Sequence, residues 1–170
     1  MHGGEEQVGF HAQHLRNVVR DFRKDNLGVN DAQAGLYLLH RLEEDSGGIF
    51  FIQTIIDEEG SLKFLLWVDP RSLLAHKNFG DVVSFDIIYR TNRYAMPFVP
   101  FTGVNHHYQL VLFGFALMRD KLKTTFEWVF GTWLEAVEVK APLAIITDQD
   151  QAMAGAIQSQ LPNTTHLLCL

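Results

Sequence analysis

The sequence predicts a mixed α/β sheet in which three antiparallel strands are followed by α-β crossovers that add parallel ones. Three observations carry that prediction. From residue 81 onward the hydrophobic periodicity reads β-β-β-α-β-α-β. Two apolar runs, Val82-Val83-Ser84-Phe85-Asp86 and Leu143-Ala144-Ile145-Ile146-Thr147-Asp148, each end in an aspartate. Between them Phe126, Val129, Phe130, Trp133, Leu134 and Val137 recur at helical spacing.

The elements follow in order. Residues 1–46 read as a helical lead-in. Phe10, Leu15, Val18, Val19 and Phe22 mark one helix over 10–24. Asn30 or Asp31 opens a second one through about Glu44, with Ala34, Leu36, Leu38, Leu39 and Leu42 on its apolar side and Gly47-Gly48 after it. Residues 47–80 read as a β-hairpin and a short helix. Strands at 49–56 and 62–68 flank the acidic turn Asp57-Glu58-Glu59-Gly60. Asp69-Pro70 then supplies an N-cap and a first-turn proline for a helix to about Asn78, closed by Phe79-Gly80. Residues 81–170 hold the core, with strands at 81–88, 98–105 and 109–118, a helix at 124–137, a strand at 143–147, a helix at 150–160 and a last strand from Thr165. No internal repeat or low-complexity stretch interrupts them.

Composition narrows the classes of function. The 170 residues suffice for one domain with a real core. A net charge of −6 argues against a broad basic surface that grips nucleic acid. Local basic clusters are Arg16, Arg20, Arg23 and Lys24 in the first helix candidate, and Arg90 and Arg93 after the first aspartate; the first of them reads as a solvated helix face. Cys169 is the sole cysteine, so no intrachain disulfide can form and a reducing, intracellular compartment is expected. No apolar run reaches the ~18 residues of a membrane span, so no membrane partner is expected. The sequence stops in the apolar run His166-Leu167-Leu168-Cys169-Leu170, which is expected of a fragment or a truncated gene product.

Asp86 and Asp148 are the candidate site. Aspartate is a poor strand former, so one at the end of a buried strand has a local job. Side by side, two such carboxylates suit Mg²⁺ or Mn²⁺, the metals of two-metal phosphoryl transfer. The alternative is that both residues form turns or cap helices. For Asp150, capping the following helix is the expected role. His106-His107 reads either as a metal- or DNA-contacting pair or as a hairpin turn; the turn is favoured because no further Cys or His lies near in sequence. His166 and Cys169 have x-x spacing but make at most half of a four-ligand zinc site. Trp128 and Trp133 are expected to pack rather than stack on bases.

The element order is that of a ribonuclease H-like fold. In that fold the first core strand is central and the strand after the first helix lies parallel beside it. Acids at the ends of those strands become neighbours at the edge where α/β sheets collect ligands.

Specific blocks then carry a family resemblance. They are Phe79-Gly80-Asp81-Val82-Val83-Ser84-Phe85-Asp86, Tyr89-Arg90-Thr91-Asn92, Met96-Pro97-Phe98, and Phe101-Thr102-Gly103-Val104-Asn105-His106-His107. Leu112-Phe113-Gly114-Phe115-Ala116-Leu117, Phe126-Glu127-Trp128-Val129-Phe130, Thr132-Trp133-Leu134 and Ala144-Ile145-Ile146-Thr147-Asp148-Gln149-Asp150 continue them in order. Together, over roughly residues 30–170, they resemble the transposase domain of Mutator-like elements. The nearest branch is that of the plant far-red-impaired-response and far-red-elongated-hypocotyl proteins.

The resemblance implies a ribonuclease H-like transposase core with an Asp-Asp-Glu triad that binds two divalent metals and cuts and joins DNA. Asp86 matches the first acid and Asp148 the second. The third, a Glu, lies beyond a helical insertion after the block that begins at His166, and the residues given stop before it. Cys169 matches the Cys of a Cys-x-x-His pair. Departures occur near the site: Ile87-Ile88 stand where the family commonly has Thr-Thr, Asp120-Lys121-Leu122 where it has Asp-Glu-Thr, and Leu167 where it has Arg. They fit a copy that no longer cuts DNA. By resemblance the chain is expected in the nucleus as a transcription regulator, the alternative being a fragment of an active DDE transposase. Zinc is expected only in the family's amino-terminal DNA-binding and carboxy-terminal SWIM domains, which these residues do not include. DNA contact is expected only through that full-length context, and homo- or hetero-oligomers are further candidate partners.

Overall fold

In the computed structural model, residues 51–87, 96–138 and 141–169 are described. The lead-in helices expected over 10–24 and 30–44, the clusters Arg16 to Lys24 and Arg90 with Arg93, and Ile49, Ile88 and Leu170 lie outside them.

Alternating apolar residues around an Asp-Gly turn make the first hairpin. Strand β1 (Phe51–Ile56) pairs antiparallel with β2 (Leu62–Val68). Asp57 orders the turn by accepting from the backbone N–H groups of Ser61 at 2.8 Å and Glu59 at 3.1 Å, and it pairs with Arg119, whose backbone N–H donates to the Lys63 carbonyl at the same end of the sheet. The Ser61 N–H, joined by Arg119 and the Glu59 N–H, holds the Asp57 carboxyl below its ordinary 3.8.

Helix α1 (Pro70–Phe79) starts as its sequence dictates: Pro70 is in the first turn and the Asp69 carboxylate accepts from the Ser72 N–H at 2.8 Å. It ends at Gly80, which packs so closely on His76 that a Cβ there would lie 2.5 Å from the imidazole.

The core strands are β3 (Val82–Phe85), β4 (Phe98–Val104) and β5 (Leu110–Met118), followed by helix α2 (Lys123–Val137), strand β6 (Ala144–Thr147), helix α3 (Gln151–Gln160) and strand β7 (Thr165–Leu168). Each lies within a few residues of its predicted place. The larger trim is at β3, which stops at Phe85; β4 and β5 each give up one residue to the turn between them. That turn is built by Asn105, whose Oδ1 accepts from the His107 and Gln109 N–H groups at 2.9 and 3.0 Å.

The described strands form one mixed sheet in the order β1-β2-β5-β4-β3-β6-β7. Neighbours are antiparallel except β3 with β6 and β6 with β7, which are parallel. The hairpin therefore extends the same sheet as the core strands, through pairing of β2 with β5. At Gly114 (φ +138°) β5 enters a backbone region that L-residues avoid, next to a register shift in its pairing with β4.

One face of the sheet is covered by helices. Phe64, Leu66, Val68, Val83, Phe85, Phe101 and Ile145 pack with Phe126, Phe130 and Trp133 of α2 and Met153 and Ile157 of α3. Trp133 stacks on Phe101 at 4.4 Å and donates from Nε1 to the Phe113 carbonyl at 3.2 Å. The opposite face carries a smaller buried cluster of Leu65, Trp67, Phe98 and Leu117, confined to the β1–β2–β5–β4 half. None of the described helices is long and apolar enough to cross a membrane.

Candidate functional site

The pairing of β3 with β6 decides where the two aspartates go. The strands run parallel in the register Val82↔Ala144 to Phe85↔Thr147. Asp86 and Asp148 are the next residue on each, so they leave the sheet as neighbours at the same edge, both exposed. Local chemistry ends each strand there. The β3–β4 pairing stops at Phe85↔Phe101, and the next residue of β4, Pro100, has no N–H to extend it. Buried Phe85 and Ile87 hold the chain on either side of Asp86.

On the β6 side the backbone is pinned several ways. Asp150 caps α3, accepting from the Met153 N–H at 3.0 Å, while its own N–H donates to the Asp148 carbonyl at 3.0 Å. The buried Thr147 hydroxyl donates to that same carbonyl at 2.9 Å. The same hydroxyl shares a 2.8 Å hydrogen bond with His166 Nε2. The Cys169 N–H donates to the Thr147 carbonyl at 2.8 Å.

The capping and turn roles are thus filled by other acids. Asp69 and Asp150 cap helices, Asp57 builds a turn, and Asp120 accepts from the Leu122 N–H and pairs with the Thr125 hydroxyl at the start of α2. Among the described residues, the Asp86 and Asp148 carboxylates take part in no hydrogen bond or ion pair.

The remaining candidates do not join them. His106 packs edge-on against Phe79 at 4.9 Å in the β4–β5 turn, at the end of the sheet where β3 begins. His166 sits on β7 opposite Ile145 and is taken up by Thr147; burial lowers its pKa from the ordinary 6.5. Cys169 is exposed just past β7. Trp128 tilts against Phe64 at 5.5 Å, and Trp133 is fully buried.

Among the described residues no group of three or more His, Cys, Asp or Glu side chains is placed to hold a metal ion. Two carboxylates are fewer oxygen ligands than a divalent-metal site for phosphoryl transfer takes.

Two residues of the structure escaped the sequence reading. Thr147 is one, although a polar residue just before a strand-end acid is a usable signal. His76 is the other. It is 2% exposed, both of its ring nitrogens lack a hydrogen-bond partner among the described residues, and it meets Phe113 and Trp133 edge-on at 5.2 and 5.0 Å. Burial, partly offset by the charge of Asp81, lowers its pKa.

Comparison with known proteins agrees with the motifs. Residues 82–170 match the model of the MULE transposase domain. The chain is 38% identical over 168 residues to FAR1-related sequence 5 of Arabidopsis thaliana, covering 99% of this chain and 21% of that protein. It is 41% identical over 153 residues to FAR1-related sequence 7 of the same plant, covering 89% and 20%, respectively. It is 39% identical over 169 residues to the plant's Far-red impaired response 1, covering 99% and 20%. The chain spans about a fifth of the length of these curated relatives. Matched over its core strands by the domain model and over nearly all its residues by these proteins, the chain belongs to the MULE transposase family, in its FAR1-related branch.

Proposed function

We propose that this chain is the ribonuclease H-like core of a transposase-derived plant transcription regulator, acting in the nucleus without cutting DNA. The carrying observation is the pair of exposed, unengaged carboxylates on neighbouring parallel strands, with no third acid beside them among the described residues. The strand order β5-β4-β3-β6-β7, with β3 central and β6 parallel beside it, supports the ribonuclease H-like reading.

The departures from the family pattern support loss of cutting. Ile87, where the family has Thr, is buried directly after Asp86. Leu122, where the family has Thr, is the N-cap of α2 and offers no side-chain hydrogen bond. Leu167, where the family has Arg, stands 46% exposed on the last strand. In a two-metal site several anionic ligands share the metals with the scissile phosphate, and Asp86 with Asp148 would supply only part of that set for Mg²⁺ or Mn²⁺. DNA would be met through the rest of a longer protein, since the net charge of −6 gives this chain no broad basic surface.

Two assays test the reading. In a strand-cleavage and strand-transfer assay with Mg²⁺ or Mn²⁺, wild type and Asp86→Ala are expected to match the background. Fused to a heterologous DNA-binding domain in plant cells, the chain is expected to change reporter output, and Asp86→Ala/Asp148→Ala to do so equally. Asp86-dependent cutting would favour the alternative, an active DDE transposase core. An unchanged reporter would remove the regulatory role.

A further inference from the structure

Among the described residues, β7 is the outermost strand beside β6. Its inner side is firmly held. The Thr165 N–H donates to the Leu143 carbonyl at 2.9 Å and the Cys169 N–H to the Thr147 carbonyl at 2.8 Å. The Thr164 hydroxyl donates to the Pro142 carbonyl at 2.7 Å, and His166 is bonded to Thr147. Backbone groups alternate in direction along a strand, so Thr165, Leu167 and Cys169 turn toward β6, while the N–H and C=O groups of His166 and Leu168 turn outward. A fixed row of such groups is a ready template for another strand.

The edge carries none of the devices that discourage pairing. Residues 151–169, which build α3 and β7, contain no Asp, Glu, Lys or Arg, although 20% of the chain is charged. Strand β7 has no proline and pairs with β6 in unbroken register. Both of its faces present leucine to water: Leu167 is 46% exposed on the open face and Leu168 48% exposed on the helix side.

We infer that β7 pairs with β7 of a second copy of this chain, antiparallel and centred on Leu167, so that two sheets join into one. Symmetry and charge select this occupant. A two-fold axis at Leu167 sets His166 and Leu168 opposite Leu168 and His166 of the second copy. Those are the residues whose backbone groups point outward, and each such pair exchanges two hydrogen bonds. Leu167 meets its own counterpart in the non-hydrogen-bonded position, where Cα atoms come to about 4.5 Å and the side chains cover each other. Thr165 falls opposite the other copy's cysteine. Two copies at −6 each repel, but the junction itself holds no charged residue, so the repelling groups stay away from it. The contact uses the same surface on both copies and closes at two. With four residues of strand per copy it is small, so the association is weak and depends on concentration. This inference does not depend on the fate of Asp86 and Asp148.

Disulfide trapping in the full chain reads the register. Oxidised Leu167→Cys/Cys169→Ser is expected to give a reducible dimer. Thr165→Cys, with Cys169 kept, is expected to link position 165 of one copy to Cys169 of the other, identified by peptide mass. Leu110→Cys/Cys169→Ser, at a leucine 70% exposed at the start of β5, is expected to stay monomeric. No dimer from the β7 variants, as much dimer from the Leu110 variant, or a link only between the two copies of Cys169 overturns the inference. Sedimentation of the chain without crosslinks is the second measurement. Wild type is expected to pass from monomer to dimer as concentration rises. Leu167→Lys, which sets like charges face to face, is expected to remain a folded monomer by circular dichroism, and Leu110→Lys to behave as wild type. A wild type that stays monomeric would leave the edge to an unlike strand and overturn self-pairing, as would open-ended oligomers or equal behaviour of the two lysine variants.

Discussion

The sheet has two unlike halves. In the β1–β2–β5–β4 half both faces are buried: β2 alone contributes Phe64, Leu66 and Val68 to one cluster and Leu65 and Trp67 to the other. In the β3–β6–β7 half the helix-covered face is packed on β3 and β6, through Val83, Phe85, Ile145 and Thr147, and opens on β7, where Leu168 beside Thr147 is 48% exposed. On its other face Val82 and Leu167 are each 46% exposed, and Ser84, Ala144 and Ile146 are half-buried. The doubly buried half is a scaffold. The half-open one carries both strand-end carboxylates, so the molecule puts its candidate chemistry where the sheet meets water.

The largest test of that contrast is in the scaffold. Phe101 of β4 is fully buried between Trp133 and Phe85. Phe101→Ala is expected to cost about 3–5 kcal/mol in chemical denaturation, as for other deleted core aromatics. Asp86→Asn, on the open half, is expected to raise the midpoint slightly at low salt by relieving repulsion from Asp148, and not at all at high salt. A large loss from Asp86→Asn would mean that the carboxylate is part of the scaffold.

Next comes pH. The buried His76 has a folded pKa below its ordinary 6.5, so the unfolded chain takes up the proton first as pH falls. Its stabilising share is complete above about pH 6.5 and is lost as pH falls below that toward the folded value. His76→Leu is expected to flatten the stability curve in this acid window, measured by denaturation midpoints between pH 7.5 and 5, roughly the range over which histidine titrates. An unchanged slope would show that His76 does not control it.

A smaller effect sharpens the family comparison. Leu122 caps α2 without a side-chain hydrogen bond and is 61% exposed. Leu122→Thr restores the family's residue and is expected to add about 1 kcal/mol, the usual value of such a cap, in the same denaturation assay. No gain would mean that Asp120 already meets the need through the Leu122 N–H and the Thr125 hydroxyl.

Much of this architecture was legible in the residues because it is local. Asp69-Pro70 wrote the start of α1, apolar spacing wrote α2, and the two Asp-ended runs wrote β3 and β6. Non-local features were hidden. Pairing of β2 with β5 makes the hairpin part of the same sheet, and no periodicity states which strands become neighbours across 50 residues. The stop of β3 at Phe85 depends on Pro100 in another strand. For the site, the sequence placed Asp86 and Asp148 and the cap at Asp150 but not the His166–Thr147–Asp148 chain, which needs β7 in register. His76 was invisible for a related reason: helical spacing says that a side chain faces inward, not whether its nitrogens find partners.

The account rests on the two carboxylates being neighbours across β3 and β6. Its most direct test is oxidation of the Asp86→Cys/Asp148→Cys variant in a Cys169→Ser background. Parallel neighbours put Cα atoms within about the 4.4–6.8 Å that a disulfide spans. The account predicts a rapid intramolecular crosslink in the folded monomer, seen as a reducible mobility shift, and a normal circular dichroism spectrum. A folded monomer whose thiols stay free, or crosslink only between chains, would contradict it.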